Sequence, residues 1–338
     1  TSRGMQQAVY YGAGIIAMLV CIFVVRYIKR WRFLMKVLMM GAAALLVLPL
    51  AIGTEQNGAT NWITLGGTSV QPSEIVKLAL LLVLSWYMSR RRFWPWFLFA
   101  MFALLVLMLQ RDLGTALIYY ATALFLFYAS TGNLPLTGLG VLGGGGAAVA
   151  GYMMFAHVKK RVAFWRNPWI YYETSGYQIV QTLMAIASGG LFGVGLGLGA
   201  PRVIPVYFTD CIFAVICEQF GVIFGALVLA MYIILILRGV SIASAARQSF
   251  HALLAMGATV MLGVQTFVII GGVLKLIPLT GVTMPFVSYG GTSLVSCMGL
   301  IGLIQGVASV NQDDLAYDYE ISHSLQEAAM LPEADREG

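Results

Sequence analysis

Runs of apolar residues long enough to cross a bilayer recur nine times along the chain, over positions 8–26, 33–53, 73–89, 93–110, 113–131, 136–157, 211–237, 252–274 and 292–311. About 20 residues of α-helix span the hydrocarbon core of a bilayer, and a helix satisfies all its backbone polar groups within one segment. The repetition predicts an all-α polytopic membrane protein with nine transmembrane helices. Composition points the same way: 59% of the 338 residues are hydrophobic and 10% are charged, too little polar surface to clothe a soluble globule. The first run has no basic flank or small-residue cleavage site and is followed at once by another span, so it does not read as a signal peptide. The chain divides into one transmembrane domain over 1–311 and a tail over 312–338.

Charge gives the expected topology. Short connections hold Arg26, Lys29, Arg30, Arg32 and Lys36, then Arg90, Arg91 and Arg92, then Arg238 and Arg247. Alternating spans place all of them on one side, which the positive-inside rule makes the cytoplasm. The net charge of +6 therefore reports orientation in a membrane rather than a nucleic-acid partner. The C-terminus is then cytoplasmic, and an odd span count puts the first residue outside, which leads to the expectation that a helix upstream of this sequence is missing. The tail holds Asp313, Asp314, Asp318, Glu320, Glu327, Glu333, Asp335 and Glu337 with few apolar anchors, and reads as a disordered, solvated segment.

The six other acids, Glu55, Glu74, Asp112, Glu173, Asp210 and Glu218, all fall on the outer side or in the outer half of a span. Charge near hydrocarbon is costly unless paired or facing water, so the cluster points to a polar cavity open to the outside. Cys21, Cys211, Cys217 and Cys297 have no paired spacing, and His157, His251 and His323 are isolated. Neither set makes a metal site or disulfide frame, and no cofactor is indicated.

Three outer segments carry the irregular sequence. The first, 57–74, is turn-rich and enters a helix at Pro72; Glu74 and Lys77 share a face of that helix, either as an ion pair or as a carboxylate and an ammonium facing one cavity. The second, 157–210, mixes Lys159, Lys160, Arg161, Arg166 and Arg202 with Phe164, Trp165, Trp169, Tyr171, Tyr172 and Tyr177. Such a mixture suits the lipid headgroup layer and can receive an anionic lipid head. Its glycines from Gly189 to Gly199 lack the spacing and the βαβ setting of a nucleotide loop; they permit tight turns or close backbone approach. Gly143 to Gly146, inside a span, read as helix-packing positions. The third, 277–293, has two prolines and three glycines, a backbone that persists at membrane depth only inside protein or along a cavity.

These segments resemble one family. Asn61-Trp-Ile with Gln71-Pro-Ser-Glu74 and Lys77-Leu-Ala-Leu, Gln110-Arg-Asp-Leu-Gly-Thr115, Gly176-Tyr-Gln178 through Gly199, Thr209-Asp210-Cys-Ile-Phe-Ala with Glu218, and Ile277-Pro-Leu-Thr-Gly281 through Ser293 are similar, in order, to signatures of the SEDS family, which includes RodA, FtsW and SpoVE. The likeness covers nearly the whole chain apart from the tail. Departures are Arg111 for a proline, Phe208 for a histidine, Gln219 for a second glutamate, and Ala200-Pro-Arg202 for a longer Gln-Lys stretch.

The resemblance implies ten helices, so that the first is missing here, and an activity: polymerisation of lipid II, a disaccharide-peptide on undecaprenyl pyrophosphate, into peptidoglycan glycan strands. It implies a class B penicillin-binding protein as partner and a role in elongation, division or sporulation. Asp210 matches the family's catalytic aspartate. A carboxylate there can act as general base on the acceptor hydroxyl, and Arg202, Lys77 or Arg161 can stabilise the departing pyrophosphate, with or without a divalent cation. Glu74 and Glu218 orient those cations, and Gln178 and Ser288 complete the implied substrate-binding set. One base acting on an α-linked donor would invert the anomeric centre. Two other readings remain: a flippase for the same lipid, or a non-catalytic scaffold for the penicillin-binding protein. Asp210 also has a purely structural alternative, as a helix N-cap.

Overall fold

The computed structural model describes residues 3–27, 32–56, 59–65, 68–174 and 176–330. Lys29, Arg30, Asn57, Gly58, Gly66, Gly67, Glu333, Asp335 and Glu337 lie outside the described residues. The elements run α1 (Arg3–Tyr27), α2 (Arg32–Ile52), β1 (Thr54–Gln56), β2 (Ala59–Leu65), β3 (Thr68–Val70), α3 (Pro72–Ser89), α4 (Phe93–Leu109), α5 (Leu113–Thr131), α6 (Leu134–Met154), α7 (Ala156–Arg166), α8 (Gly176–Gly189), a 3₁₀ turn (Pro201–Val203), α9 (Ile212–Ser244), α10 (Ser249–Val273) and α11 (Gly291–Met330).

Among the described residues, eight helices are long and apolar enough to cross a membrane: α1, α2, α3, α5, α6, α9, α10 and α11. The chain is a multi-pass membrane protein. The run at 93–110 forms α4, an apolar helix of 17 residues. At 1.5 Å per residue that is about 26 Å, short of the roughly 30 Å hydrocarbon core. The expected nine spans thus resolve into eight long helices and one short one. The run at 136–157 breaks at Phe155, where α6 gives way to α7.

α3 and α10 form the centre of the bundle and are buried along most of their length. Small residues set the closest approaches. A Cβ added at Gly302 would lie 2.4 Å from the Met18 carbonyl oxygen, and one at Gly306 would lie 2.8 Å from Val25, so α1 lies directly against α11. In the Gly143–Gly146 run, by contrast, only Gly144 meets a neighbour, Tyr120. The helix carrying the run is largely exposed, with Gly151 its one buried residue, so within this chain only Gly144 of the run packs closely against another helix.

The first outer segment and the three residues before it form a small antiparallel sheet, β1-β2-β3, which the turn-rich reading missed. Asn57-Gly58 and Gly66-Gly67, which join its strands, are both hairpin signals. The tail also departs from expectation: α11 continues through it to Met330 instead of ending near 311. Two ion pairs fasten this extension, Arg26 with Asp313 at 3.0 Å and Arg247 with Asp318. The acids that suggested disorder are in part paired with the basic loops, so tail and basic loops share one end of the bundle.

Candidate functional site

The opposite end of the bundle gathers the irregular segments, and their backbone is held by side chains. The Thr60 amide donates to the Gln110 carbonyl at 3.1 Å, tying the sheet to the turn before α5. In that turn Asp112 accepts from the Thr115 amide (3.1 Å), Thr115 Oγ1 (3.0 Å), Asn61 Nδ2 (2.7 Å) and Gln71 Nε2 (2.9 Å). A carboxylate with four donors is saturated, which makes Asp112 the N-cap of α5 and the anchor of the sheet. Two residues on, Gly114 is small because the third outer segment crosses it: a Cβ there would lie 2.4 Å from Val282 Cγ2 and 3.1 Å from Thr280 Cβ.

That third segment has few regular bonds of its own and receives them from its surroundings. Trp165 Nε1 donates to the Lys275 carbonyl at 2.9 Å, Arg161 Nη1 to the Thr280 carbonyl at 3.3 Å and Gln265 Nε2 to the Thr283 carbonyl at 2.9 Å. The Tyr232 hydroxyl donates to the Pro285 carbonyl and the Tyr11 hydroxyl to the Phe286 carbonyl at 2.7 Å. This is how non-helical backbone is satisfied deep in a membrane protein.

Asp210 lies where these groups meet. A Cβ built on Gly281 would be 3.6 Å from Asp210 Oδ2, and Gly281 holds a left-handed φ of 77°. Ser288 Oγ donates to the Thr209 carbonyl at 2.5 Å and accepts from the Met284 amide at 2.8 Å, and the Tyr289 amide donates to the Phe208 carbonyl at 2.9 Å. Together these bonds fix the turn that carries Asp210 against the third segment. Burial pushes the Asp210 carboxyl up to about 6; a hydrogen bond with Thr209 and the charge of Arg161 pull the other way and do not overcome it. Cys211 occupies the cap position of α9, so Asp210 is not the cap of that helix. A carboxylate titrating near neutrality, with a cation beside it, suits proton transfer.

The other expected site residues fall elsewhere. Glu74 and Lys77 form an ion pair at 2.5 Å, both buried in the bundle. Lys77 Nζ also donates to Gln265 Oε1 at 3.0 Å, and Glu74 Oε2 accepts from Ser296 Oγ at 2.6 Å. Because Gln265 in turn holds the Thr283 carbonyl, the pair connects to the third segment through one intervening side chain. Gln178 Nε2 donates to Cys211 Sγ at 3.4 Å, beside Asp210 in the chain, and ties α8 to the start of α9.

Glu218 is buried, with Oε1 accepting from the Ala200 amide at 3.0 Å and Oε2 lacking a hydrogen-bond partner among the described residues. Arg202 is exposed on the 3₁₀ turn. The glycines near Glu218 serve backbone approach to the protein itself. α9 breaks at Gly221, which has φ 87° and ψ 166°, and the Val194 and Gly195 amides donate to the Glu218 and Gln219 carbonyls freed there, at 2.9 and 3.0 Å.

Sequence reading thus named Asp210, Arg161 and Ser288, which the structure brings to one place. It passed over Thr280 and Gly281 as site residues and missed Gln265, whose partners lie in distant segments. No group of three or more His, Cys, Asp or Glu side chains able to hold a metal ion occurs among the described residues.

The fold is that of a polytopic helical membrane protein whose irregular segments and Asp210 gather at one end of the bundle. Residues 2–313 match the model of the FtsW/RodA/SpoVE family, described as cell cycle protein, and the chain belongs to that family. It is 36% identical over 282 residues to peptidoglycan glycosyltransferase RodA of Mycobacterium tuberculosis, covering 78% of this chain and 60% of that one. It therefore spans about 60% of the length of that relative. Stage V sporulation protein E of Bacillus subtilis is 36% identical over 318 residues, covering 90% of this chain and 86% of the relative. Among solved structures, the rod shape determining protein RodA of Thermus thermophilus superposes with a TM-score of 0.66 at 27% identity, covering 90% of this chain and 87% of that one. A chain from a peptidoglycan synthase complex, in a study of how polymerisation and crosslinking are coordinated, superposes with a TM-score of 0.75 at 27% identity, covering 91% and 89%.

Proposed function

We propose that the protein is a peptidoglycan glycosyltransferase that polymerises lipid II, with Asp210 as general base. The observation that carries the reading is the Asp210 carboxyl raised to about 6 beside Arg161 and Gly281, in a chain whose relatives include proteins named peptidoglycan glycosyltransferase. In the proposed step the acceptor sugar hydroxyl gives its proton to Asp210 as its oxygen bonds to the donor's anomeric carbon. The bond to pyrophosphate breaks, and Arg161 stabilises the charge that develops on the leaving group. Attack opposite an α-linked leaving group gives a β-linkage, so the enzyme is inverting.

Further parts of the reading are the outward-facing site, a cytoplasmic C-terminus and a penicillin-binding protein as cross-linking partner. The location of the basic loops and the acidic end of α11 at the end away from Asp210 supports the orientation, since basic short loops face the cytoplasm. The likeness to a chain of a peptidoglycan synthase complex supports the partner. The test is glycan-strand synthesis from purified lipid II in liposomes, with and without a candidate penicillin-binding protein. Polymer that appears only when active protein is present is expected. Transfer of lipid II between leaflets without any polymer would instead make the protein a flippase.

A further inference from the structure

Backbone strain gathers around Asp210. Among the described residues five besides glycine hold a left-handed φ, and three of them, Val206 (54°), Lys275 (60°) and Phe286 (65°), lie in the stretches 206–210 and 275–286 that meet there. That conformation disfavours L-residues, bulky and branched ones most of all. It persists only where the surrounding structure holds it in place.

The same kind of group holds Lys275 and Phe286. Lys275 follows the cap of α10: its amide donates to the Gly272 carbonyl at 3.1 Å and the Leu276 amide to the Gly271 carbonyl at 2.7 Å. A helix that ends in this turn usually has glycine at the left-handed position; here a lysine stands there, and its carbonyl accepts from Trp165 Nε1 at 2.9 Å. At the far end of the segment the Phe286 carbonyl accepts from the Tyr11 hydroxyl at 2.7 Å. Each strained residue thus gives its carbonyl to the polar tip of an aromatic ring from a distant element, α7 or α1. Gly281, which faces Asp210, lies midway between the two.

α7 buries no residue, so the core gains little from it. Its Arg161 and Trp165, one turn apart on one face, donate instead to the Thr280 and Lys275 carbonyls and bracket the stretch that leads to Gly281.

We propose that Trp165 and Tyr11 are positioning residues, which pin the two strained ends of segment 275–286 and so hold Gly281, and Ser288 just beyond, against the Asp210 turn. Their hydrogen bonds go to backbone carbonyls, so they act through the segment. When a donor is lost, the residue it held relaxes toward negative φ and the segment shifts away from the carboxylate. The proposal deepens the reading of Asp210 as the base and rests on it.

The test uses the whole protein in liposomes with lipid II as substrate. Trp165→Phe and Tyr11→Phe each keep a ring and remove the donor; Trp165→Phe is also combined with Lys275→Gly, since glycine takes the left-handed position without help. Thermal melting checks folding, and hydrogen exchange of the resting protein, read by mass spectrometry over residues 276–287, reports the segment without any substrate. Each single variant is expected to exchange faster there and to lose about tenfold in saturated rate with little change in KM, because small misplacements of reacting groups are costly. Adding Lys275→Gly to Trp165→Phe should restore most of the rate, and Lys275→Gly alone should match wild type. An unchanged rate in either folded variant, or a rate loss with unchanged exchange, would overturn the proposal for that residue; a Trp165→Phe loss that Lys275→Gly does not restore would overturn it for Trp165. Asp210→Asn measured alongside separates the two readings: a near-wild-type rate there would sink Asp210 as the base, while the exchange and the rescue would still decide whether Trp165 and Tyr11 position the segment.

Discussion

The Asp210 carboxylate faces the backbone of Gly281, such that a methyl group at position 281 would sit 3.6 Å from Oδ2, and Gly281 has the left-handed φ of 77° that favours glycine. Residues 71 positions apart thus form one unit, and the third outer segment is as much part of the site as the aspartate.

Gly281→Ala tests that unit. The left-handed backbone costs an L-residue roughly 1–2 kcal/mol, so the segment facing the carboxylate would shift, while the added methyl itself would only reach van der Waals contact with Oδ2. Polymerisation from lipid II is expected to fall at least tenfold while the melting temperature drops by only a few degrees. An unchanged rate would show that the Asp210 to Gly281 contact has no part in catalysis.

The pH dependence has a definite sign. A general base works as the carboxylate, so activity requires deprotonation, and the raised value of about 6 for Asp210 predicts a rate that falls roughly tenfold per pH unit below pH 6. An ordinary exposed aspartate would put the same limb near 4. Initial rates of glycan formation between pH 4.5 and 8 distinguish the two, and a limb near 4 would contradict Asp210 as the base.

Ser288 holds the Asp210 turn by donating to the Thr209 carbonyl and accepting from the Met284 amide. Ser288→Ala leaves both groups without their partner at a buried position, a loss of about 1–3 kcal/mol. Lower thermal stability and a lower rate at saturating lipid II are expected together, with little change in KM. A raised KM at an unchanged saturated rate would mean that Ser288 touches substrate instead.

For the buried Glu74 and Lys77 pair, removing one charge strands the other. Lys77→Met alone is expected to cost about 3–5 kcal/mol, whereas Glu74→Gln with Lys77→Met should recover most of the melting temperature. A double variant as unstable as the single one would show that the pair's mutual attraction is not what Lys77 contributes.

How much of this was legible in the sequence depended on the range of the interaction. The long apolar runs gave the helices, because the bilayer fixes their length; the acids in or near the outer segments pointed only to a polar cavity, and the likeness of Thr209-Asp210-Cys-Ile-Phe-Ala to a family signature singled out Asp210. The role of Gln265 was hidden because its partners, Lys77 and the Thr283 carbonyl, come from elements 188 and 18 residues away. The small sheet was missed although its hairpin dipeptides were present, since its strands are only three to seven residues long. The tail misled because its acids and the basic loops were placed on one side without any sign that Asp313 and Asp318 pair with Arg26 and Arg247.

The central claim is that Asp210 is the base, and Asp210→Asn tests it most directly. Asparagine keeps the shape and removes the proton acceptor, so the rate of glycan polymer formation by equal amounts of folded protein is expected to fall by about 10²–10⁴, with lipid II binding preserved. Near-wild-type polymerisation by Asp210→Asn would contradict the account and move the search for the base to Glu74 or Glu218.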